Sequence, residues 1–575
     1  MRPFLVAIVV GVLLVISGCY RDGVYRTDQV TRSMEEHPTY TRREIEACVG
    51  DLGSGLTSTG VMSTARPATR SELEPTKPTL SRDLGAGAGG EKLGNPFRSD
   101  SDEPPRNASG EGYPQRREPG FIGVRERGGD ASTFGLDVDT ASYSNVRRFL
   151  QSGTLPPVDA VRVEELLNYF PYHYQPPAAD AEIPLALRTD LIACPWQGDH
   201  HLLRVAVKAR ETDAARRPSL NLIFLIDTSG SMDARDRLPL VVDLLKSLTT
   251  RLDADDIVGI VTYAGESRVA LEPVAGDQRE RITTVLNRLR ASGSTNGANG
   301  LRSAYRLAER NQRPGMQSRV VLCTDGDFNV GESSEDRLRM LIREQAHGGV
   351  FLNVFGVGTG NYQDKTAKAL AANGNGVYAY LDSSAEAERI ITGMLGHFIT
   401  VAKDAKVQLY FNPAKVVAWR QIGYEYRQLR RSDFNNDRVD SGDIGAGHSV
   451  TALYEIIPAR GAADANPFIA GQRANTEGED GALLQVRLRC KLPDGRTSRL
   501  SETMVTEALT EPDADFRFAC GVAGFGMLLR HSPSTGRLDW SQIATWAGDE
   551  RDEHDERRRE FQNLVAAARR LDRRR

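Results

Sequence analysis

Residues 222–231 constrain the fold of this chain more than any other stretch. They read Leu-Ile-Phe-Leu-Ile and then, without a break, Asp227-Thr-Ser229-Gly-Ser231. The apolar half does not alternate with polar residues, which predicts a strand buried on both faces, central in a sheet covered by helices. The polar half sets one carboxylate and two hydroxyls in a tight turn. Asp and Ser are ordinary helix N-caps in a βα loop. An all-oxygen cluster equally suits a hard cation such as Mg²⁺. These ten residues leave both readings open.

The central part of the chain repeats that strand in alternation with helices. Apolar strands are predicted at 220–226, 257–263, 319–323, 350–357 and 377–380. Amphipathic helices are predicted at 238–252, 279–289, 297–308, 334–345, 364–372 and 385–400. Such crossovers imply a doubly wound, mainly parallel α/β sheet. A short run at 268–271 reads as an edge strand. On both sides the pattern changes. Segments 183–192, 201–208, 407–411, 419–426, 449–456, 483–491 and 498–505 read as half-buried antiparallel strands. The α/β unit is therefore read as an insertion in a β-sandwich-like domain built from about 180–210 and 402–507. Helices at 141–150 and 161–169 precede it, and helices at 516–529 and about 550–570 follow.

In an open α/β sheet, ligands sit beyond the carboxyl ends of the strands, where the strand order reverses. Three loops at such ends share one chemistry: 227–231, 292–297 (Ser-Gly-Ser-Thr295-Asn-Gly) and 324–326 (Thr-Asp325-Gly). They offer the carboxylates of Asp227 and Asp325 and the hydroxyls of Ser229, Ser231 and Thr295. Asp-x-Ser-x-Ser, a downstream Thr, and Thr-Asp-Gly after a strand resemble the von Willebrand factor type A domain with a complete metal-ion-dependent adhesion site. The resemblance covers about residues 219–400. It implies a Rossmann-like sheet with one antiparallel edge strand, placed at 268–271. It also implies that Ser229, Ser231 and Thr295 ligate Mg²⁺ (or Mn²⁺) through hydroxyls, with Asp227 and Asp325 binding directly or through water. An open coordination position would then accept an Asp or Glu carboxylate from a protein partner. Asp327 and Glu332 read as surface charges. The flanks at 133–149 and 434–455 resemble the N-terminal segment and the uncharacterised C-terminal domain of a group of bacterial exported proteins. Asn436, Asp437, Asp440 and Asp443 lack EF-hand spacing and read as a polar turn.

The N-terminus reads as a lipoprotein signal peptide. Arg2 precedes an apolar run at 4–16, too short to span a membrane, which closes with Ile16-Ser17-Gly18-Cys19. Lipidation is expected at Cys19. Tyr20, in place of an Asp, points to the outer membrane of a two-membrane envelope. The expected organisation is a signal peptide at 1–18, a disordered tether at 19–130 and an N-terminal helical segment at 131–178. Strands at 179–218 pair with the C-terminal domain, and the α/β domain occupies 219–400. A β-rich domain at 401–510 and helices at 511–575 complete the chain.

Function classes narrow accordingly. With 73 basic and 77 acidic residues the chain lacks the excess charge of a nucleic-acid binder. The six cysteines include no Cys-x-x-Cys pair, which argues against a thiolate zinc site. There is no Gly-x-Ser-x-Gly, His-Glu-x-x-His or Walker A motif. Asp137-x-Asp139 has Thr140 one place too early for a phosphatase nucleophile motif. The expectation is a membrane-anchored, cation-dependent protein-binding protein that is not an enzyme. An envelope scaffold with a structural metal site is the alternative, ahead of a metal-dependent hydrolase.

Overall fold

The computed structural model describes residues 111–573 except 116, 137–138, 213–216, 296, 327–331, 361, 398, 438–440, 460–481, 494, 496 and 549–554, and omits the side chains of 332–336 and 394–397. The signal peptide, Cys19, most of the expected tether, Asp327 and Asp440 lie outside the described residues. No described helix is long and apolar enough to cross a membrane.

The described chain opens with β1 (Ile122–Gly123), β2 (Ala131–Gly135), α1 (Ala141–Gln151) and α2 (Val163–Leu167), followed by β3 (Leu185–Ala193) and β4 (His201–Ala209). The α/β unit comprises β5 (Leu220–Asp227), α3 (Leu238–Thr249), β6 (Ile257–Tyr263), β7 (Ser267–Ala275), α4 (Arg279–Arg288), α5 (Gly297–Asn311) and β8 (Gln317–Thr324). It continues with α6 (Glu332–His347), β9 (Val350–Val357), α7 (Asp364–Asn373), β10 (Tyr378–Leu381) and α8 (Ser384–His397). Next come β11 (Thr400–Phe411), β12 (Val416–Ile422), β13 (Ile444–Gly445), β14 (Ser449–Pro458), β15 (Ala482–Lys491) and β16 (Ser498–Thr506). The last helices are α9 (Ala514–Leu529), α10 (Trp540–Ala547) and α11 (Glu556–Asp572).

The α/β sheet has the order β10-β9-β8-β5-β6-β7, parallel throughout except for β7, which runs antiparallel to β6. β5 is buried along its whole length. Leu222, Phe224 and Ile226 pack on the α3, α4 and α8 side, while Ile223 and Leu225 pack on the α5, α6 and α7 side. That two-sided burial is why the strand sequence does not alternate. The edge strand is longer than the expected 268–271.

The flanking strands form two antiparallel sheets. One runs β1-β12-β14-β4-β3; the other runs β13-β11-β15-β16, with β2 also paired to β11. Val205 and Val207 of β4, Tyr454 of β14, Val407 and Leu409 of β11 and Val486 of β15 share the core between them. The α/β unit is spliced between β4 and β11. The opposite face of β4 and β14 is also covered, because Leu202, Ala206 and Leu453 pack with α1, α2, α9, α10 and α11. These strands are thus not half-buried. Arg204 and Arg420, which read as solvent-facing, are fully buried; Arg204 pairs with Asp190 and Asp513, and Arg420 with Glu118 and Glu455.

The expected tether to residue 130 runs too far. Glu111 and Tyr113 are buried, and β1 pairs with β12. Glu111 is held by Arg148 rather than by apolar packing, so no hydrophobic periodicity marks the segment. Asp139 is a structural carboxylate, bonded by Arg427 and by the backbone N–H of Tyr378. Asp437 accepts from Arg489 and Ser498, as a polar turn residue does.

Glu164 on α2 is almost wholly inaccessible, and among the described residues no side chain donates a hydrogen bond to its carboxyl oxygens. Burial first, then the nearby Glu425 carboxylate, push its carboxyl up to about 7, against the partial relief of Lys368. An acid with a raised folded-state pKa stabilises the fold fully below its unfolded value, and that contribution is lost as pH rises through the folded value. Glu164→Gln should therefore match wild type near pH 4.5 and exceed it by ~1–3 kcal/mol above pH 7, read from urea unfolding across that range. A gap that stays constant with pH would refute this reading.

Candidate metal centre

The carboxyl ends of β5, β6 and β8 lie level. Asp227 pairs in register with Tyr263, and Ile226 with Cys323. From β5 the chain winds to β6 on one side and later returns to β8 on the other, so the β5–β8 boundary is the crevice where the strand order reverses. Asp227 ends one wall, and Asp325 directly follows the other.

Asp227 is fully buried. Its Oδ1 accepts the Ser229 N–H at 2.9 Å, which closes the turn over the strand end. Its Oδ2 accepts the Tyr263 hydroxyl at 3.0 Å and the Thr324 hydroxyl at 3.3 Å. The Gly326 N–H in turn donates to the Thr324 hydroxyl at 3.2 Å. Every donor to Asp227 among the described residues is neutral. Burial first, and the Asp325 carboxylate after it, raise the Asp227 carboxyl to about 6 despite these hydrogen bonds.

Of the other sequence-predicted residues, Ser229, Ser231 and Asp325 join this cluster, and Thr295 lies in a loop tied to it. The Ser229 and Ser231 hydroxyls are 3.0 Å apart, the first buried and the second exposed. The second loop is stitched to the first by Gly230 N–H to the Gly293 carbonyl (2.9 Å) and Ser292 N–H to the Thr228 carbonyl (2.8 Å). Thr295, partly buried, lies two residues beyond Gly293. Asp325 is buried, and its Oδ2 accepts from Arg237 Nη1 at 2.8 Å. Sequence reasoning missed Tyr263 and Arg237. Tyr263 looked like one more apolar strand residue, and Arg237 stands just before α3 with no periodicity to single it out.

The donor set fits a hard divalent cation. It is all oxygen, mixes carboxylates with hydroxyls, and includes a buried carboxylate with no cationic donor among the described residues. Asp227, Ser229, Ser231, Thr295 and Asp325 are the residues that would hold such an ion.

This sheet and these loops define a von Willebrand factor type A domain protein, and residues 221–392 match the model of that domain. Residues 107–204 match a model described as von Willebrand factor, and 396–571 one described as uncharacterized protein YfbK, C-terminal. The chain is 42% identical over 446 residues to the uncharacterized protein YfbK of Escherichia coli K12, covering 76% of this chain and 78% of that protein. It belongs to the YfbK family. Mouse inter alpha-trypsin inhibitor heavy chain 4 is 30% identical over 174 residues, 29% of this chain and 18% of that protein. Among solved structures, a von Willebrand factor type A protein from Catenulispora acidiphila is 17% identical, covers 65% of this chain and 88% of its own, and superposes with a TM-score of 0.38. Domains of this type commonly serve in metal-dependent adhesion or protein interaction.

Proposed function

We propose that this chain is a non-enzymatic, membrane-anchored protein that captures a protein partner through a divalent cation, Mg²⁺ or Mn²⁺, held at Asp227, Ser229, Ser231, Thr295 and Asp325. The observation that carries this reading is the buried Asp227 carboxylate, set beside Asp325 and two serine hydroxyls, with only neutral donors. When bound, the ion supplies a Lewis-acidic position that a partner's Asp or Glu carboxylate can occupy.

The chain's own residues do the positioning. Tyr263 and Thr324 hold Asp227 Oδ2 from below, and the Ser229 N–H fixes Oδ1, so the carboxylate is oriented before any ligand arrives. With three neutral hydroxyls among the five ligands, the sixth position of an octahedral ion would stay open to an incoming carboxylate. Lipidation at Cys19 would place the protein on the cell envelope, in the outer membrane where there are two.

Envelope proteins captured on immobilised wild type and on Ser229→Ala, each with and without EDTA, test the reading. At least one captured protein should depend on both Ser229 and the cation. Capture indifferent to both would overturn it.

A further inference from the structure

Arg237 stands beside the oxygen cluster without belonging to it. Its Nη1 donates to Asp325 Oδ2 at 2.8 Å and to the Ser231 carbonyl at 2.7 Å; its Nη2 donates to the Thr359 carbonyl at 2.8 Å. Among the described residues, the buried Nε has no hydrogen-bond partner. The side chain crosses Gly358, whose φ is +80° and where an added Cβ would come within 2.4 Å of Arg237 Nε. Both the missing side chain and the left-handed backbone there make room for the arginine. Two residues on, the Gly360 N–H donates to Glu111 Oε1 at 3.1 Å, and Glu111 is itself bonded to Arg148. Arg237 is thus fixed on three acceptors, over a backbone pinned by the residues that open the described fold.

A guanidinium bonded to Asp325 opposes a dication in two ways. It occupies one of the two carboxylate oxygens of Asp325, and it would place a like charge next to the ion in a partly buried site. Among the described residues, Asp227 has no cationic hydrogen-bond donor. We propose that Arg237 is a resident competitor that sets the cation affinity of this centre, holding Asp325 when the ion is absent and weakening binding when it is present. The inference rests on the divalent-cation reading above.

The test is calorimetric titration of the purified full-length chain with MnCl₂, for wild type, Arg237→Met, Arg237→Gln and Asp227→Ala. The methionine keeps the stem and the glutamine keeps a neutral donor. Both Arg237 variants should bind Mn²⁺ at least about tenfold more tightly than wild type. Equal or weaker binding in both would overturn the proposal. Loss of fold in either variant, seen in thermal unfolding with chelator present, would also count against it by making Arg237 a structural strut. The two readings fail separately. If wild type binds Mn²⁺ no better than Asp227→Ala, the cation site itself is wrong. If wild type binds, Asp227→Ala does not, and neither Arg237 variant tightens, only the competitor role falls.

Discussion

Asp227→Ala should lower Mg²⁺ or Mn²⁺ affinity by on the order of 100-fold or more, since it removes a ligand rather than one of its supports. The fold should survive. Asp227 is a buried carboxylate raised to about 6, so its ionised form is already held at a cost, and alanine removes that cost. Against this, the Tyr263 and Thr324 hydroxyls lose their shared acceptor. The two effects oppose each other and leave a net change within ~2 kcal/mol in chelator. Tyr263→Phe supplies the graded control. It leaves every expected ligand in place but frees Asp227 Oδ2 from one of its holders, and a loss of about 10-fold is expected. Titration calorimetry with urea unfolding in EDTA separates the quantities. Unchanged cation affinity in Asp227→Ala would refute the site.

The largest expected effect on stability is at Arg162. Its guanidinium is bidentate to both Glu165 and Asp364, with side-chain exposures of 2% for Arg162, 1% for Glu165 and 0% for Asp364. The contact joins α2 in the N-terminal segment to α7 of the α/β unit. Burial alone would raise the Glu165 carboxyl, but Arg162 and Lys368 hold it well below the usual carboxylate range. That contribution is present above the unfolded carboxylate pKa and is lost only as pH falls through the depressed folded value. Arg162→Met leaves two carboxylates buried with too few donors and should cost ~3–5 kcal/mol at neutral pH. The triple variant Arg162→Met, Glu165→Gln, Asp364→Asn removes the charges together and should recover most of the loss. A single variant within ~1 kcal/mol of wild type would show that Lys368 and the Ser142 N–H on Glu165, with the Tyr378 hydroxyl on Asp364, suffice to hold these carboxylates.

How far each part was legible follows from what holds it. The central sheet was readable because its strands are buried on both faces, and continuous apolar runs such as 222–226 record that directly. The loops of the candidate centre were readable because they interrupt those strands with oxygen-bearing residues at the carboxyl ends, where an open sheet leaves its crevice. The flanking sheets were readable as strands, and β15 and β16 alternate as expected, but the surroundings of β4, β12 and β14 were not readable. Arg204 and Arg420 give β4 and β12 an apparent solvent face, yet both are buried and paired with residues distant in sequence. α10, eight residues long, was not expected from the sequence.

The sequence by itself determined the alternation that builds the doubly wound sheet, the insertion of that sheet between strands of another domain, and the oxygen chemistry at three of its loops. These are local properties: burial, periodicity and side-chain type are written residue by residue. Only the tertiary structure decided that the polar faces of β4, β12 and β14 lie inside, that Tyr263 and Thr324 support Asp227, that Glu111, Tyr113 and β1 belong to the folded body, and that Arg237 is bonded to Asp325. Each of these depends on a charge or hydroxyl meeting a partner from a remote part of the chain, and a side chain's polarity does not say whether its partner will be water or protein.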